Sequence, residues 1–188
     1  VRRDQQGAVV GLRQTMNRLV RPVLNPAVPV PLQRRIVRQA YRSSTPPRGA
    51  KFENITIGGV PATRTTFGND PRGAVLYLHG GGYIIGSSST HRGITGHLAK
   101  TTGCAIVTPD YRLAPEFPFP AALDDAEACW NGLLEAGLKP DQIAVAGDSA
   151  GGGLSVALAM RLRDKGLQLP ASLTAFSPWI DLTQEQLY

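Results

Sequence analysis

The sequence has little cysteine, little histidine and no long apolar run. Its 188 residues include two cysteines, Cys104 and Cys129, without C-x-x-C spacing, and three histidines. This scarcity argues against a disulfide scaffold and a zinc site, so we expect reduced, buried cysteines. No stretch approaches the roughly 20 apolar residues of a membrane-spanning helix, and the N-terminus lacks the pattern of a signal peptide. We therefore expect a soluble, cytoplasmic protein without stable membrane insertion.

Basic charge is confined to the N-terminal part of the chain. The formal net charge is +6, yet residues 1–50 hold ten arginines and one aspartate, while the remainder is slightly acidic. Apolar residues recur among these arginines every three or four positions, which is typical of one face of a helix. The pattern predicts amphipathic helices at 8–24 and 32–42 rather than a nucleic-acid-binding arm.

The chain beyond the linker "SSTPPRG" at 43–49 alternates between buried-strand and helix patterns. Two β-rich runs flank Gly58-Gly59, and later apolar runs end in glycine or proline. The predicted strands lie near 51–57, 62–67, 74–79, 104–108, 143–147 and 173–177, and the predicted helices near 90–102, 120–136 and 150–164. Such alternation predicts an α/β fold, a mostly parallel sheet flanked by helices.

The segment "GDSAG" at 147–151 fits the pattern G-x-S-x-G. It lies between a predicted strand and a predicted helix, where the serine of a nucleophile elbow occupies a strained position and exposes its hydroxyl. Ser149 is therefore the candidate nucleophile. The pentapeptide alone leaves phosphate binding and tight packing as alternatives.

A second glycine-rich segment, "HGGGY" at 79–83, follows an earlier strand. Backbone N–H groups stabilise the oxyanion of acyl transfer, and consecutive glycines keep side chains out of the way. In an elbow, the N–H after the nucleophile, here that of Ala150, is the other donor. Nucleotide binding is disfavoured, because Ser149 interrupts G-x-G-x-x-G and no P-loop lysine follows either segment.

Together, "HGGGY", "DYRLAPEFPFPAALDD", "GDSAGG" and "SPWIDLT" resemble, in order and spacing, the hormone-sensitive-lipase-like branch of the α/β-hydrolases, typified by bacterial carboxylesterases. The resemblance implies an N-terminal helical cap segment at 1–48 and an α/β-hydrolase core at 49–188. It also implies Ser149 as the nucleophile and oxyanion donors at Gly81, Gly82 and Ala150. Tyr83 either lines the substrate pocket or is a ring packed at the end of the sheet.

The same resemblance assigns supporting roles to other polar residues. His79 organises the glycine loop, whereas His91 and His97 are expected to be ordinary helix residues. Asp148 points away from the serine and supports the elbow. Asp110 and Arg112, in "DYR", are expected to form a structural charge pair near the site.

The sequence departs from the family after Ser149. In α/β-hydrolases the triad acid and then the histidine follow the serine, but all three histidines here precede it. Asp181 follows it, although the family's acid lies beyond a later strand. The last predicted strand would also leave an unpaired apolar edge. We therefore expect the core to be incomplete, with the triad Asp and His and further strands in a missing C-terminal part. A second chain or a homo-oligomer completing the sheet is the alternative.

These features favour a serine carboxylesterase or lipase-like hydrolase that cleaves short- to medium-chain acyl esters through an acyl-enzyme. Its substrate is a small acyl ester, and no metal or organic cofactor is implied. Two alternatives stay open: a non-catalytic small-molecule binder on the same fold, and an amide or peptide hydrolase, because the acyl-transfer machinery is shared.

Overall fold

The computed structural model describes residues 22, 25, 27–41 and 44–181. Helix α1 spans Val30–Ala40. It begins two residues before its predicted start and takes Pro31 into its first turn, because a proline there sacrifices no intrahelical hydrogen bond. The helix predicted at 8–24 lies almost wholly outside the described residues.

Six strands of the described residues form one sheet in the order β1-β2-β4-β3-β5-β6. Their bounds are β1 Ala50–Ile57, β2 Val60–Phe67, β3 Ala74–Leu78, β4 Ala105–Pro109, β5 Ile143–Asp148 and β6 Ser172–Phe176. Strands β4, β3, β5 and β6 run parallel, and β2 joins β4 in antiparallel pairing. The predicted fold class is confirmed.

The first two strands form an antiparallel hairpin, in which Ile57 pairs with Val60. Gly58 and Gly59 make the connection with φ of 57° and 79°. A two-residue turn with positive φ at both positions matches the twist of the flanking strands and suits glycine.

Helices cover both faces of the sheet. They are α2 (Arg92–Thr102), α3 (Ala121–Glu135) and α4 (Ala150–Asp164), with short 3-10 turns at Ser88–His91 and Pro140–Gln142. Because side chains alternate along a strand, β3 sends Leu76 and Leu78 toward α3 and α4, and Val75 and Tyr77 toward α2. This double cover explains why β3 and β4 are buried along their whole length.

Strand β6 contrasts with the central strands. Among the described residues it pairs with β5 alone, and most of its residues are exposed. Both cysteines are free; Cys129 is buried as expected, whereas Cys104 is only half-buried. No helix within the described ranges is long and apolar enough to cross a membrane.

Candidate active site

Ser149 stands at the corner between β5 and α4. Its φ and ψ are 52° and −120°, a conformation that L residues rarely adopt, and the residue is exposed. Its backbone N–H donates to Phe176 O at 3.0 Å, and its carbonyl accepts from Trp179 N at 2.9 Å. The end of β6 and the segment that follows it therefore hold the backbone of the corner, while the residue itself stays exposed.

Small residues around Ser149, here called the elbow (residues 147–151), are required by close backbone packing. A Cβ at Gly147 would lie 2.6 Å from Leu78 O, and a Cβ at Gly151 would overlap the same oxygen. Leu78 pairs with Gly147 across the parallel strands β3 and β5. The carboxyl end of β3 thus lies directly against the elbow.

The chain leaving β3 forms the glycine turn (residues 80–82). Gly81 and Gly82 have φ of 129° and 61°, and Gly81 O accepts from Ile84 N at 3.1 Å and Ile85 N at 3.0 Å. A Cβ at Gly82 would meet no atom within 4 Å. The turn is therefore closed on the Ile85 side and open beside Gly82.

The Asp148 carboxylate joins the elbow to the glycine turn. Its Oδ1 accepts from Gly80 N and from the Tyr77 hydroxyl, both at 2.9 Å. Burial would raise the pKa of Asp148, but contacts with His91, Tyr77 and Gly80 outweigh burial and hold it below its usual value. As expected, Asp148 supports the elbow, and in doing so it fixes the glycine turn beside it.

A family model described as the α/β-hydrolase fold matches residues 75–188. The chain belongs to the α/β-hydrolase family. It is 44% identical over 131 residues to an acetyl-hydrolase of Streptomyces hygroscopicus, covering 70% of this chain and 44% of that protein. It is 38% identical over 176 residues to the esterase LipU of Mycobacterium tuberculosis, covering 88% and 58%. The chain thus spans about half the length of these curated relatives.

A solved structure agrees with this assignment. An esterase from the bacterial hormone-sensitive lipase family superposes with a TM-score of 0.83 at 40% identity, covering 91% of this chain and 58% of that one. The likeness confirms the hormone-sensitive-lipase-like branch of the α/β-hydrolases that the motifs indicated.

His79 of this hydrolase-family chain is fully buried beneath the glycine turn. Its Nδ1 lies 2.9 Å from Gly80 O, and its ring stacks on Tyr111 with centroids 4.2 Å apart. Burial, together with His91, lowers the pKa of His79 to about 4, so the ring is neutral at pH 7 and Nδ1–H donates to the carbonyl. This geometry agrees with the predicted role of organising the loop.

The expectation that His91 is an ordinary helix residue was wrong. It ends the 3-10 turn before α2, is buried, and places Nε2 3.4 Å from Asp148 Oδ1. Spacing along the sequence carries no sign of this contact, because only the tertiary fold joins the two residues. His97 does lie exposed on α2.

The expected Asp110–Arg112 pair was also wrong. Arg112 instead forms a forked pair with Asp125, with Nη2 to Oδ1 at 2.7 Å and Nε to Oδ2 at 3.0 Å. Asp110 accepts from the N–H of Ser88 at 2.6 Å and from its hydroxyl at 3.1 Å. Helix α3 brings Asp125 into reach of the guanidinium fork, which takes a carboxylate in bidentate fashion.

An apolar cavity of about 370 Å³ lies just beyond the elbow, along α4 from Gly153 onward. Tyr83 and Gly153 border it, and the Tyr83 ring centroid is 6.5 Å from that of Trp179. The other lining residues are Arg112, Ala114, Phe117, Phe119, Pro120, Ala122, Leu123, Leu154, Val156, Ala157, Met160, Trp179 and Ile180. Both predicted roles of Tyr83 are compatible with this position, since the ring packs against Trp179 and also borders the cavity.

Within the part of the chain that is described, no cluster of His, Cys, Asp and Glu could hold a metal ion.

Proposed function

We propose that this chain carries the nucleophile and the oxyanion donors of a serine carboxylic ester hydrolase. The observation that carries the proposal is the strained, exposed Ser149 at a strand-to-helix corner, with the glycine turn fastened beside it. The relatives named as esterase and acetyl-hydrolase support the same chemistry.

In the proposed reaction, the Ser149 hydroxyl attacks the carbonyl carbon of a small acyl ester. A base accepts the hydroxyl proton as the new bond forms, and the carbonyl electron pair moves to oxygen. The N–H groups of Gly81, Gly82 and Ala150 would hold this oxyanion. Collapse expels the alcohol, which takes up the proton, and water then releases the acid from the acyl-enzyme.

The oxyanion role of Ala150 agrees with its position as the first residue of α4. The first N–H groups of a helix have no partner within the helix and carry the positive end of its dipole. On the opposite side, the space next to Gly82 is open, so an ester carbonyl can approach without meeting a side chain.

The cavity just beyond the elbow favours an apolar group of modest size. At about 370 Å³, with mostly apolar lining, it suits a short to medium acyl chain better than a charged one. Met160 and Ile180, both exposed, stand at its border.

The catalytic base is not a histidine of this chain in our proposal. All three histidines precede Ser149; His79 is buried against Gly80, and His91 faces Asp148. We propose instead that the base lies in a further part of the protein or in a second chain. Without such a base, only about 10³ to 10⁴ of rate enhancement over water would remain.

This requirement supplies a direct test, because an added base can replace a missing one. The chain and Ser149→Ala are incubated with p-nitrophenyl butyrate, with and without imidazole, and butyryl transfer is followed by intact mass and peptide mapping. We expect imidazole to accelerate butyrylation of Ser149 well above the reaction of Ser149→Ala, which corrects for direct attack of imidazole on the ester. Butyrylation that is unaffected by Ser149→Ala would refute the proposal.

His79 and His91 contact Gly80 and Asp148 rather than Ser149. This arrangement also favours a second candidate, a non-catalytic binder of small apolar molecules in the same cavity. It predicts saturable binding of a butyrate ester without butyrylation of Ser149, even with imidazole. The corresponding butyryl anilide tests the amide-hydrolase alternative, which predicts acylation by anilide and ester at comparable rates.

A further inference from the structure

One oxygen atom, Asp148 Oδ1, collects contacts from three parts of the molecule. Gly80 N and the Tyr77 hydroxyl each lie at 2.9 Å, and His91 Nε2 lies at 3.4 Å. The side chain of Tyr77 is fully buried and His91 is 6% exposed. A carboxylate oxygen held from two sides by rigid donors has little freedom to move relative to its third partner, Gly80.

The orientation of His91 is itself fixed. Its Nδ1 lies 2.9 Å from Thr90 Oγ1 and 3.2 Å from Ser87 O, within a reciprocal cap formed by Ser87 and Thr90. Its ring stacks on Tyr41 with centroids 5.7 Å apart. Both ring nitrogens thus face oxygen atoms, and the ring plane is packed, so Nε2 is directed at Asp148.

Gly80 precedes Gly81 and Gly82, and Asp148 precedes Ser149. We propose that His91 and Tyr77 are positioning residues that act through Asp148 to fix the Gly80 N–H, and with it the distance between the glycine turn and Ser149. This inference rests on the proposed function for its catalytic consequence, but the positioning itself is a property of the fold. Neither residue transfers a proton in the reaction.

The alternative is that His91 and Tyr77 only fill space between β3 and α2. Matched substitutions separate the two roles. Tyr77→Phe keeps the ring and removes only the hydroxyl donor. His91→Leu removes the donor, whereas His91→Gln keeps an N–H near the position of Nε2. His97→Leu removes an exposed histidine from the following helix, α2, as a control.

The first readout is the backbone amide resonance of Gly80, which needs no activity. Its hydrogen bond to a carboxylate shifts the proton downfield, and protonation of Asp148 at acid pH reverses that shift. We expect Tyr77→Phe and His91→Leu to move this transition to higher pH, because each removes a group that lowers the pKa of Asp148. His91→Gln should restore most of the wild-type behaviour, and His97→Leu should change nothing. The other titratable groups near Asp148 are Tyr41, His79 and Tyr111, and all variants retain them.

The second readout is the imidazole-dependent butyrylation of Ser149 at saturating and limiting ester. Displacement of the glycine turn should lower the maximal acylation rate about ten- to a hundredfold in His91→Leu and in Tyr77→Phe, with little change in the ester concentration at half-saturation. The double variant should lose little more than either single variant, since both act on one carboxylate.

Thermal melts confirm that each variant is folded before these readouts are compared. An unchanged Gly80 amide in His91→Leu and Tyr77→Phe would overturn the inference, whatever the activity. So would a shifted amide accompanied by wild-type acylation, which would make the network purely structural. If the wild-type chain is not acylated at all, the proposed function fails, and the Gly80 amide alone then decides whether His91 and Tyr77 position the turn.

Discussion

The glycine turn and the elbow both depend on glycine, but for different physical reasons. In the elbow, Gly147 and Gly151 are needed because a Cβ at either would overlap backbone atoms, with Leu78 O of β3 close to both. In the glycine turn, a Cβ at Gly81 would also overlap a backbone oxygen, whereas Gly82 has free space around it and is needed for its positive φ alone. The elbow glycines are thus constrained by contact, whereas the glycine turn ends in a residue constrained by conformation alone, although both segments are proposed to serve the same oxyanion.

The difference follows from where the two segments lie in the sheet. The elbow starts a helix that packs across β3 and β5, so its glycines fall at the closest approach of two backbones. The glycine turn extends beyond β3 toward the open side of the site. Alanine should therefore destabilise the elbow by atomic overlap, and it should destabilise Gly82 by backbone strain.

The largest loss of folding stability is expected for Gly151→Ala. Its Cβ would overlap the carbonyl oxygens of Leu78 and His79, both of them backbone atoms of a central, fully buried strand end. Since neither can move without breaking the sheet, we expect a loss of about 3 kcal/mol or more in the free energy of unfolding. Chemical denaturation measures it.

Gly152→Ala is the matched control in the same turn of α4. Its Cβ would lie 2.9 Å from Pro178 Cβ, 3.1 Å from Pro178 Cα and 3.2 Å from Gly147 O, so it is crowded but less severely than at Gly151. Both substitutions gain the same helix propensity, about 1 kcal/mol, so their difference measures how much more severe the overlap with β3 is at Gly151 than the crowding at Gly152. Equal stabilities would show that the close approach at Gly151 does not constrain the elbow.

An intermediate loss of stability is expected for a substitution of Asp148, whose carboxylate connects the elbow to the glycine turn. Asp148→Asn removes the charge that accepts from Gly80 and Tyr77, and we expect a loss of about 2 kcal/mol near neutral pH. The folded pKa of Asp148 lies below its usual value, so its contribution is present above about pH 4 and is lost as the pH falls through the folded pKa.

The gap in unfolding free energy between wild type and Asp148→Asn should therefore close in acid. Denaturation measured at a series of pH values tests this. Asp141→Asn, an exposed change in the 3-10 turn before β5, is the control and should leave the acid dependence unchanged. A difference in unfolding free energy that stays constant from neutral pH to acid would show that the charge of Asp148 does not connect the two segments.

The sequence allowed the sheet and the corner at Ser149 to be predicted because both are encoded locally. Apolar runs ending in glycine or proline mark the strands, and G-x-S-x-G marks a sharp turn between strand and helix. Side-chain partners were not predictable in the same way. Arg112 pairs with Asp125 rather than with Asp110, and His91 contacts Asp148. Both contacts depend on how α2 and α3 pack on the sheet. Those contacts depend on tertiary structure, which no local pattern reports.

The smallest change in stability, and the sharpest test of the comparison, comes from a pair of glycines that both have a positive φ and open space around them. Gly82 and Gly59 have φ of 61° and 79°, and a Cβ at either would meet no atom within 4 Å. Alanine should therefore cost about 1 kcal/mol at each position, because an L side chain is disfavoured at positive φ.

Only Gly82, however, lies in the glycine turn. The new methyl group of Gly82→Ala would occupy the open space where the ester carbonyl is proposed to approach, so imidazole-dependent butyrylation of Ser149 should fall about a hundredfold. Gly59→Ala, in the β1–β2 hairpin, should acylate at the wild-type rate despite the same loss of stability. If both variants acylate equally well, the space beside Gly82 is not the approach to the oxyanion site, and Gly82 matters for its conformation alone.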